Sequence, residues 1–244
     1  LMVSGVDVCG QIHCADLDLP PPLKQAIPCQ AQQLNLADYQ QRYLMPRARC
    51  SHKGDFGHSL LIGGFAGMAG AIRMAAQACI RSGSGLTTVA TAEQPEPAII
   101  SEQPEIMVHG LASETQLTPL INKANAIALG PGLGQGPWQQ TLLESALAAE
   151  KTYVVDADAL NILAQKPRYY PDWVLTPHPG EAARLLQTTS HAITQDRLTS
   201  VAALQRRYGG VVVLKGAGTL ICDPAQHIYL CPYGNPGMAS GGMG

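Results

Sequence analysis

The chain has 244 residues, enough for one large domain or two small ones, and a domain that size needs neither disulfides nor a structural metal. A net charge of −2 with only 14% charged residues leaves no electrostatic footprint for nucleic acid or a membrane surface. Seven cysteines without a C-x-x-C pair read as reduced thiols of a cytoplasmic protein, and the longest apolar stretch is interrupted by glycines and Arg73 before it spans a bilayer.

No signal peptide is visible, and a chain that begins at Leu1 is expected to start upstream. Residues 10–16 alternate enough to predict one edge strand. Pro20, Pro21 and Pro22 predict a break in regular structure, and the stretch up to Ala37 reads as a linker. Residues 38–44 predict a short helix closed by Pro46. From Lys53 the pattern changes: apolar runs of four to six residues ("SLLIGG", "GLTTVAT", "IALGPG", "YVVDAD", "WVLTPH", "VVVLKG") alternate with amphipathic segments. That alternation predicts an α/β fold, a mostly parallel central sheet with helices on both faces. In the segment after "LLIGG", Ile72, Ala75, Ala76, Cys79 and Ile80 share one stripe, while Arg73, Gln77 and Arg81 share the opposite face. Gly83 supplies the expected left-handed cap. Beyond Val211 the runs "VVVLKG", "GTLICD" and "HIYLCP" lie close together, which predicts a short antiparallel finish.

Ligands of an open α/β sheet sit beyond the carboxyl ends of its strands, so the loops there decide the chemistry. The 63–70 loop holds four glycines before a helix; it suits either close backbone approach to an anion or a plain packing turn. It is neither a G-x-G-x-x-G nor a Walker loop. The 130–136 loop has four glycines and a proline, more than a simple turn needs, and predicts a substrate lying against bare backbone. In "VVDADALN", Asp158 is expected to cap the next helix, whereas Asp156 stays open; both suit Mg²⁺ held through water. In "TPHPGE", Pro179 suits a first helical turn, Glu181 offsets the helix dipole, and His178 is stiffened between two prolines. Lys215, Gly216, Ala217, Gly218 and Thr219 leave the most apolar strand and form a natural phosphate clamp. The small residues from Asn235 to Gly244 make a candidate amide nest.

In this order, "SHKGDFGHSLLIGG", "GAIRMAAQACIRSGSGL", "ALGPGLGQ", "VVDADALNIL", "LTPHPGEAARLL", "VVVLKGAGT" and "GNPGMASGGMG" resemble the ADP-dependent NAD(P)H-hydrate dehydratase family of the ribokinase-like superfamily. The resemblance implies residues 38–244 as a dehydratase domain, residues 21–37 as a linker, and residues 1–20 as the tail of an epimerase domain. It implies dehydration of the S form of hydrated NADH or NADPH, with ADP converted to AMP and phosphate. Ala71, Gly132, Gly134 and His178 would line the hydrate site. Lys215, Gly216, Ala217, Gly218, Thr219 and Gly244 would hold the adenine nucleotide, and the His178 loop would face the Lys215 loop across the crevice. Mg²⁺ would bridge phosphates, with Asp156 and Glu181 as contacts through water. The partners implied are the hydrates and ADP, in a homo-oligomer. The family pattern continues with a catalytic aspartate where Gly244 ends the chain, so the expectation is a truncated domain without activity of its own. Two rival readings are a small-molecule kinase of the same superfamily and a non-catalytic nucleotide-binding module.

Overall fold

The computed structural model describes residues 5–13, 15, 17–101 and 103–242, and the apolar runs become strands of one sheet. They are β1 (Gln32–Gln33), β2 (His58–Ile62), β3 (Leu86–Ala92), β4 (Met107–Leu111), β5 (Ala126–Leu129), β6 (Thr152–Val155), β7 (Trp173–Leu175), β8 (Val211–Leu214), β9 (Thr219–Cys222) and β10 (Ile228–Cys231). Their order across the sheet is β1-β10-β9-β8-β7-β6-β5-β2-β3-β4. From β4 to β8 every pairing is parallel; β9 runs antiparallel to β8, and β10 antiparallel to β9. The predicted parallel sheet with an antiparallel finish is the observed one.

Register explains which residues form the core. Ala90, Ile62, Leu129, Val155, Leu175, Val212 and Cys222 pair in one row across seven strands, and all are buried. The helices Thr118–Lys123, Pro137–Leu147, Ala157–Gln165, Pro179–Leu186 and Arg197–Tyr208 supply the side chains that join this cluster. The next row, offset by one residue, points the other way. There Leu61 and Val89 pack beneath Ile72 and Ala76 of the Ala69–Arg81 helix, whereas Val154 of β6 is 39% exposed. Helices therefore cover one face broadly and the other over β2 to β4. Gly83, at φ +110°, ends the Ala69–Arg81 helix as predicted.

The lead segment departs from its reading. Residues 10–13 and 15 form no strand and lie exposed, and the strand at that end of the sheet is β1. Pro21 and Pro22 do not break structure. They open a helix, Pro21–Ala26, in the first-turn positions where a missing N–H costs nothing. Gln32 and Gln33, within the predicted linker, pair with Tyr229 and Leu230. The short helix begins at Leu36 rather than Asp38, since Asn35 Oδ1 accepts from the Ala37 N–H at 3.1 Å. β4 had no prediction: His109 and Gly110 dilute its apolar signal, as suits an edge strand exposed on alternate residues.

The order reverses at β2, with β3 and β4 to one side and β5 to β8 to the other. Two glycine loops leave the neighbouring strands β2 and β5 at this switch point, where an α/β sheet opens a crevice. Gly64 turns the chain there at φ +73°, and a Cβ would overlap Ile72 Cγ2. Gly64→Ala is expected to preserve the sheet but to lower the unfolding free energy by about 1–3 kcal/mol, from left-handed strain and overpacking. Urea denaturation measures this; an unchanged midpoint would mean the turn relaxes freely.

Candidate functional site

The carboxyl ends of β2, β5, β6, β7 and β8 are contiguous, and their loops are bonded to one another. Gly64 N–H donates to the Pro131 carbonyl at 2.9 Å, and Phe65 N–H to that of Gly132 at 2.7 Å. Buried Thr91 donates its hydroxyl to the Gly64 carbonyl at 2.7 Å. The Phe65 ring meets Trp138 edge-on, centroids 4.7 Å apart, fixing the first glycine loop to the helix after the second. The Ala69–Arg81 helix has no side-chain cap and no acid in its first turn, so its N-terminus keeps its positive character.

The turn after β6 faces two ways. Asp158 is not the helix cap that the sequence predicted; Asp156 occupies that position, without a side-chain capping bond. Asp158 instead accepts from the Gly134 N–H at 2.8 Å and from Gln135 Nε2 at 3.2 Å, clamping the 130–136 loop. Asp156 turns the other way and pairs with Lys215 Nζ at 2.8 Å. Ala157 between them sits at φ +49°, a conformation that costs a side-chain-bearing residue of order 1 kcal/mol or more and recurs at functional sites.

Lys215 also lies 3.9 Å from Glu181 Oε2. Glu181 is buried and accepts from the His178 N–H at 2.8 Å, while His178 Nδ1 accepts from the N–H groups of Gly180 at 3.0 Å and Glu181 at 3.4 Å. This reciprocal capping box starts the Pro179–Leu186 helix. With Nδ1 accepting, the neutral ring carries its proton on Nε2, 3.4 Å from Glu181 Oε1. The stiffness read from two flanking prolines is therefore reinforced by a capping role. The His178 and Lys215 loops are neighbours rather than opposed across the crevice: Lys215 N–H donates to the Pro177 carbonyl at 2.9 Å, and both side chains meet Glu181.

A family model described as NAD(P)H-hydrate dehydratase matches residues 59–244, every loop of this wall included. The chain belongs to the NAD(P)H-hydrate dehydratase family. A bifunctional NAD(P)H-hydrate repair enzyme of Coxiella burnetii is 50% identical over 202 residues, 82% of this chain and 41% of that enzyme. An ADP-dependent (S)-NAD(P)H-hydrate dehydratase of Streptococcus pneumoniae is 36% identical over 210 residues, 84% of this chain and 72% of that protein. The ADP/ATP-dependent NAD(P)H-hydrate dehydratase of Bacillus subtilis, co-crystallised with ATP/Mg²⁺, superposes with a TM-score of 0.71 at 32% identity, over 81% of this chain and 71% of that one. This member of the dehydratase family spans less than half the length of the bifunctional relatives it matches.

The residues singled out for this dehydratase-family site fall into two groups. Ala71, Gly132 and Gly134 gather at the switch point: a Cβ on Gly132 would lie 3.2 Å from that of Ala71, and Gly134 hangs on Asp158. His178, Glu181, Asp156, Lys215, Gly216, Ala217, Gly218 and Thr219 gather at β6, β7 and β8, and Thr219 Oγ1 donates to the Gly216 carbonyl at 3.1 Å. Gly244 lies outside the described residues. The Asp156 and Asp158 turn joins the groups. After β10 the chain returns across the carboxyl edge, and Gly242 reaches Met74 of the Ala69–Arg81 helix. Among the described residues no three acidic, histidine or cysteine side chains form a metal cage, and Lys215 holds the space between Asp156 and Glu181. That donor set fits a cation bound by phosphates and water, not one enclosed by protein.

Sequence reasoning missed Thr91, the Phe65 and Trp138 pair, and above all Arg197. In "TQDRLTS" the arginine looks like a surface residue of a helix start, and nothing local marks it as buried. Its guanidinium is 5% exposed and donates to the carbonyls of Ala217 at 2.8 Å, Leu214 at 3.1 Å and Lys215 at 3.3 Å.

Asp158→Ala is expected to leave the fold intact while freeing the 130–136 loop. Loss of one charge-assisted bond should raise amide exchange at Gly134 by about tenfold or more. Exchange monitored by NMR checks this; wild-type protection at Gly134 would show that the glycines hold the loop without the clamp.

Proposed function

We propose that the protein dehydrates the S form of hydrated NADH or NADPH, restoring the coenzyme while ADP becomes AMP and phosphate. The observation that carries this reading is the joining of two loop sets along one sheet edge. One set is bare backbone suited to a flat substrate; the other presents Lys215 beside open amides suited to a polyanion. Family membership and the printed names of the relatives support it.

In this reading the ring hydroxyl of the hydrate gives its proton to a base, the aspartate that the resemblance places after Gly244, and attacks the β-phosphorus of ADP. The new O–P bond forms as the bond to AMP breaks. Phosphate then departs with the C–O electron pair, a proton leaves the adjacent carbon, and the ring double bond returns. Ala71, Gly132, Gly134 and His178 hold the hydrate; Lys215, Gly216, Ala217, Gly218 and Thr219 hold the nucleotide. Positioning and charge stabilisation carry such a transfer. Mg²⁺, when bound, neutralises phosphate charge, with Asp156 and Glu181 holding its waters. No helix among the described residues is long and apolar enough to cross a membrane.

The test supplies hydrated NADH and ADP together and follows dihydropyridine absorbance and AMP. Equimolar NADH and AMP are expected of a chain that carries the aspartate the family pattern places after Gly244, whereas residues 1–244 are expected to bind without turnover. A phosphorylated product without recovered absorbance would support the kinase alternative, and no ADP consumption would leave a binding module.

Lys215→Ala should weaken ADP binding by about tenfold or more, the cost of a lost charge-assisted bond. Unchanged affinity in a folded variant would remove the nucleotide assignment. For His178 the informative change is His178→Asn, because asparagine also caps helices and spares the Pro179–Leu186 helix. Turnover of the hydrate should fall while ADP affinity stays; the opposite split would move His178 to the nucleotide side.

A further inference from the structure

Arg197 occupies a place that is hard to explain by stability. It is the first residue of the Arg197–Tyr208 helix, where the dipole disfavours a cation. It is 5% exposed, and burial draws its pKa below the usual arginine range. No carboxylate among the described residues pairs with it; the adjacent Asp196 accepts from the Thr199 N–H at 3.1 Å instead. Its Nε is buried without a hydrogen-bond partner. Burying a charge this way is costly, and a hydrophobic residue of similar volume would often do better.

The guanidinium does something specific to the 215–219 loop. The carbonyls of Lys215 and Ala217 turn inward to it, so the N–H edges of those two peptide groups, on Gly216 and Gly218, turn away from it. The N–H opposite the Leu214 carbonyl, that of Lys215, donates to the Pro177 carbonyl at 2.9 Å. The N–H groups of Gly216, Ala217 and Gly218 meet no acceptor among the described residues, and Gly216 and Ala217 are exposed. Successive outward amides are an anion nest. The approach is close: a Cβ on Gly216 would lie 3.1 Å from Arg197 Nη2. The charge matters too. Around Lys215 the carboxylates of Asp156 and Glu181, although each is bonded, outnumber the ammonium by one charge. A buried guanidinium behind the loop restores the balance with little screening by solvent.

We infer that Arg197 is a positioning residue for the phosphates of the nucleotide, acting through the 215–219 backbone without touching the ligand. This rests on the assignment of that loop to the nucleotide. The test compares binding of ADP, adenosine and hydrated NADH by calorimetry in wild type, Arg197→Lys, Arg197→Gln and Lys215→Ala. Arg197→Lys keeps a charge but loses the three-way fork, and should bind ADP about three- to tenfold more weakly; Arg197→Gln should lose more than about tenfold. In the Arg197 variants the affinities for adenosine and for the hydrate should stay within about twofold of wild type, which general loosening of the fold would not allow. Should Arg197→Gln not fold, Arg197→Lys decides. Wild-type ADP affinity in folded Arg197→Lys, or equal weakening of ADP and adenosine, would overturn the inference. If Lys215→Ala also binds ADP normally, the nucleotide assignment itself has failed; if Lys215→Ala is impaired and Arg197→Lys is not, only the role of Arg197 has.

Discussion

Asp156 and Asp158 flank Ala157 where β6 gives way to the Ala157–Gln165 helix, they bond to different loops, and the rest of the site depends on that divergence. Through Asp158 the turn holds the Gly134 amide and Gln135; through Asp156 it holds the Lys215 ammonium. The left-handed Ala157 between them is what lets adjacent carboxylates diverge. Two halves of a crevice that are separate in sequence are thereby registered by a three-residue turn. Both bonds are charge-assisted and partly shielded, so they are stronger than exposed ion pairs of the same length.

The geometry also resolves an apparent conflict of charge. A site meant for phosphates contains two carboxylates, and in isolation both would repel the ligand. Glu181 is committed to the His178 capping box and Asp156 to Lys215, so neither is a naked anion. The lysine is in turn held by Asp156 at 2.8 Å, with Glu181 at 3.9 Å. A phosphoryl-transfer site works by such preorganised dipoles and charges, since they need no reorganisation during the reaction. The buried guanidinium of Arg197 extends the same logic one layer down.

The fold supplies the platform through register. A continuous buried row from Ala90 to Cys222 ties seven strands together, so the loops above them inherit one rigid edge. The hydrogen bonds from the 63–70 loop to Pro131 and Gly132 close the switch point itself. Glycine is required there because backbone meets backbone, leaving no room for a side chain.

The sequence by itself determined the fold class, eight of the strands and the loops that matter, because apolar runs of strand length alternating with striped helices admit few architectures. Ordered glycine-rich loops were enough to point to the family. Local signals failed where partners are distant. Residues 10–13 and 15 form no strand despite the alternation read there, while β1 and β4 pair at edges despite weak patterns. Asp158 is a loop clamp because Gly134, 24 residues earlier, lies within reach. Only the tertiary structure set His178 beside Lys215 rather than opposite it, since β7 and β8 pair in parallel and the Lys215 N–H bonds the Pro177 carbonyl. It also decided that Arg197 is buried, because solvent exposure belongs to the packed sheet and helices and not to the residues beside it in the chain.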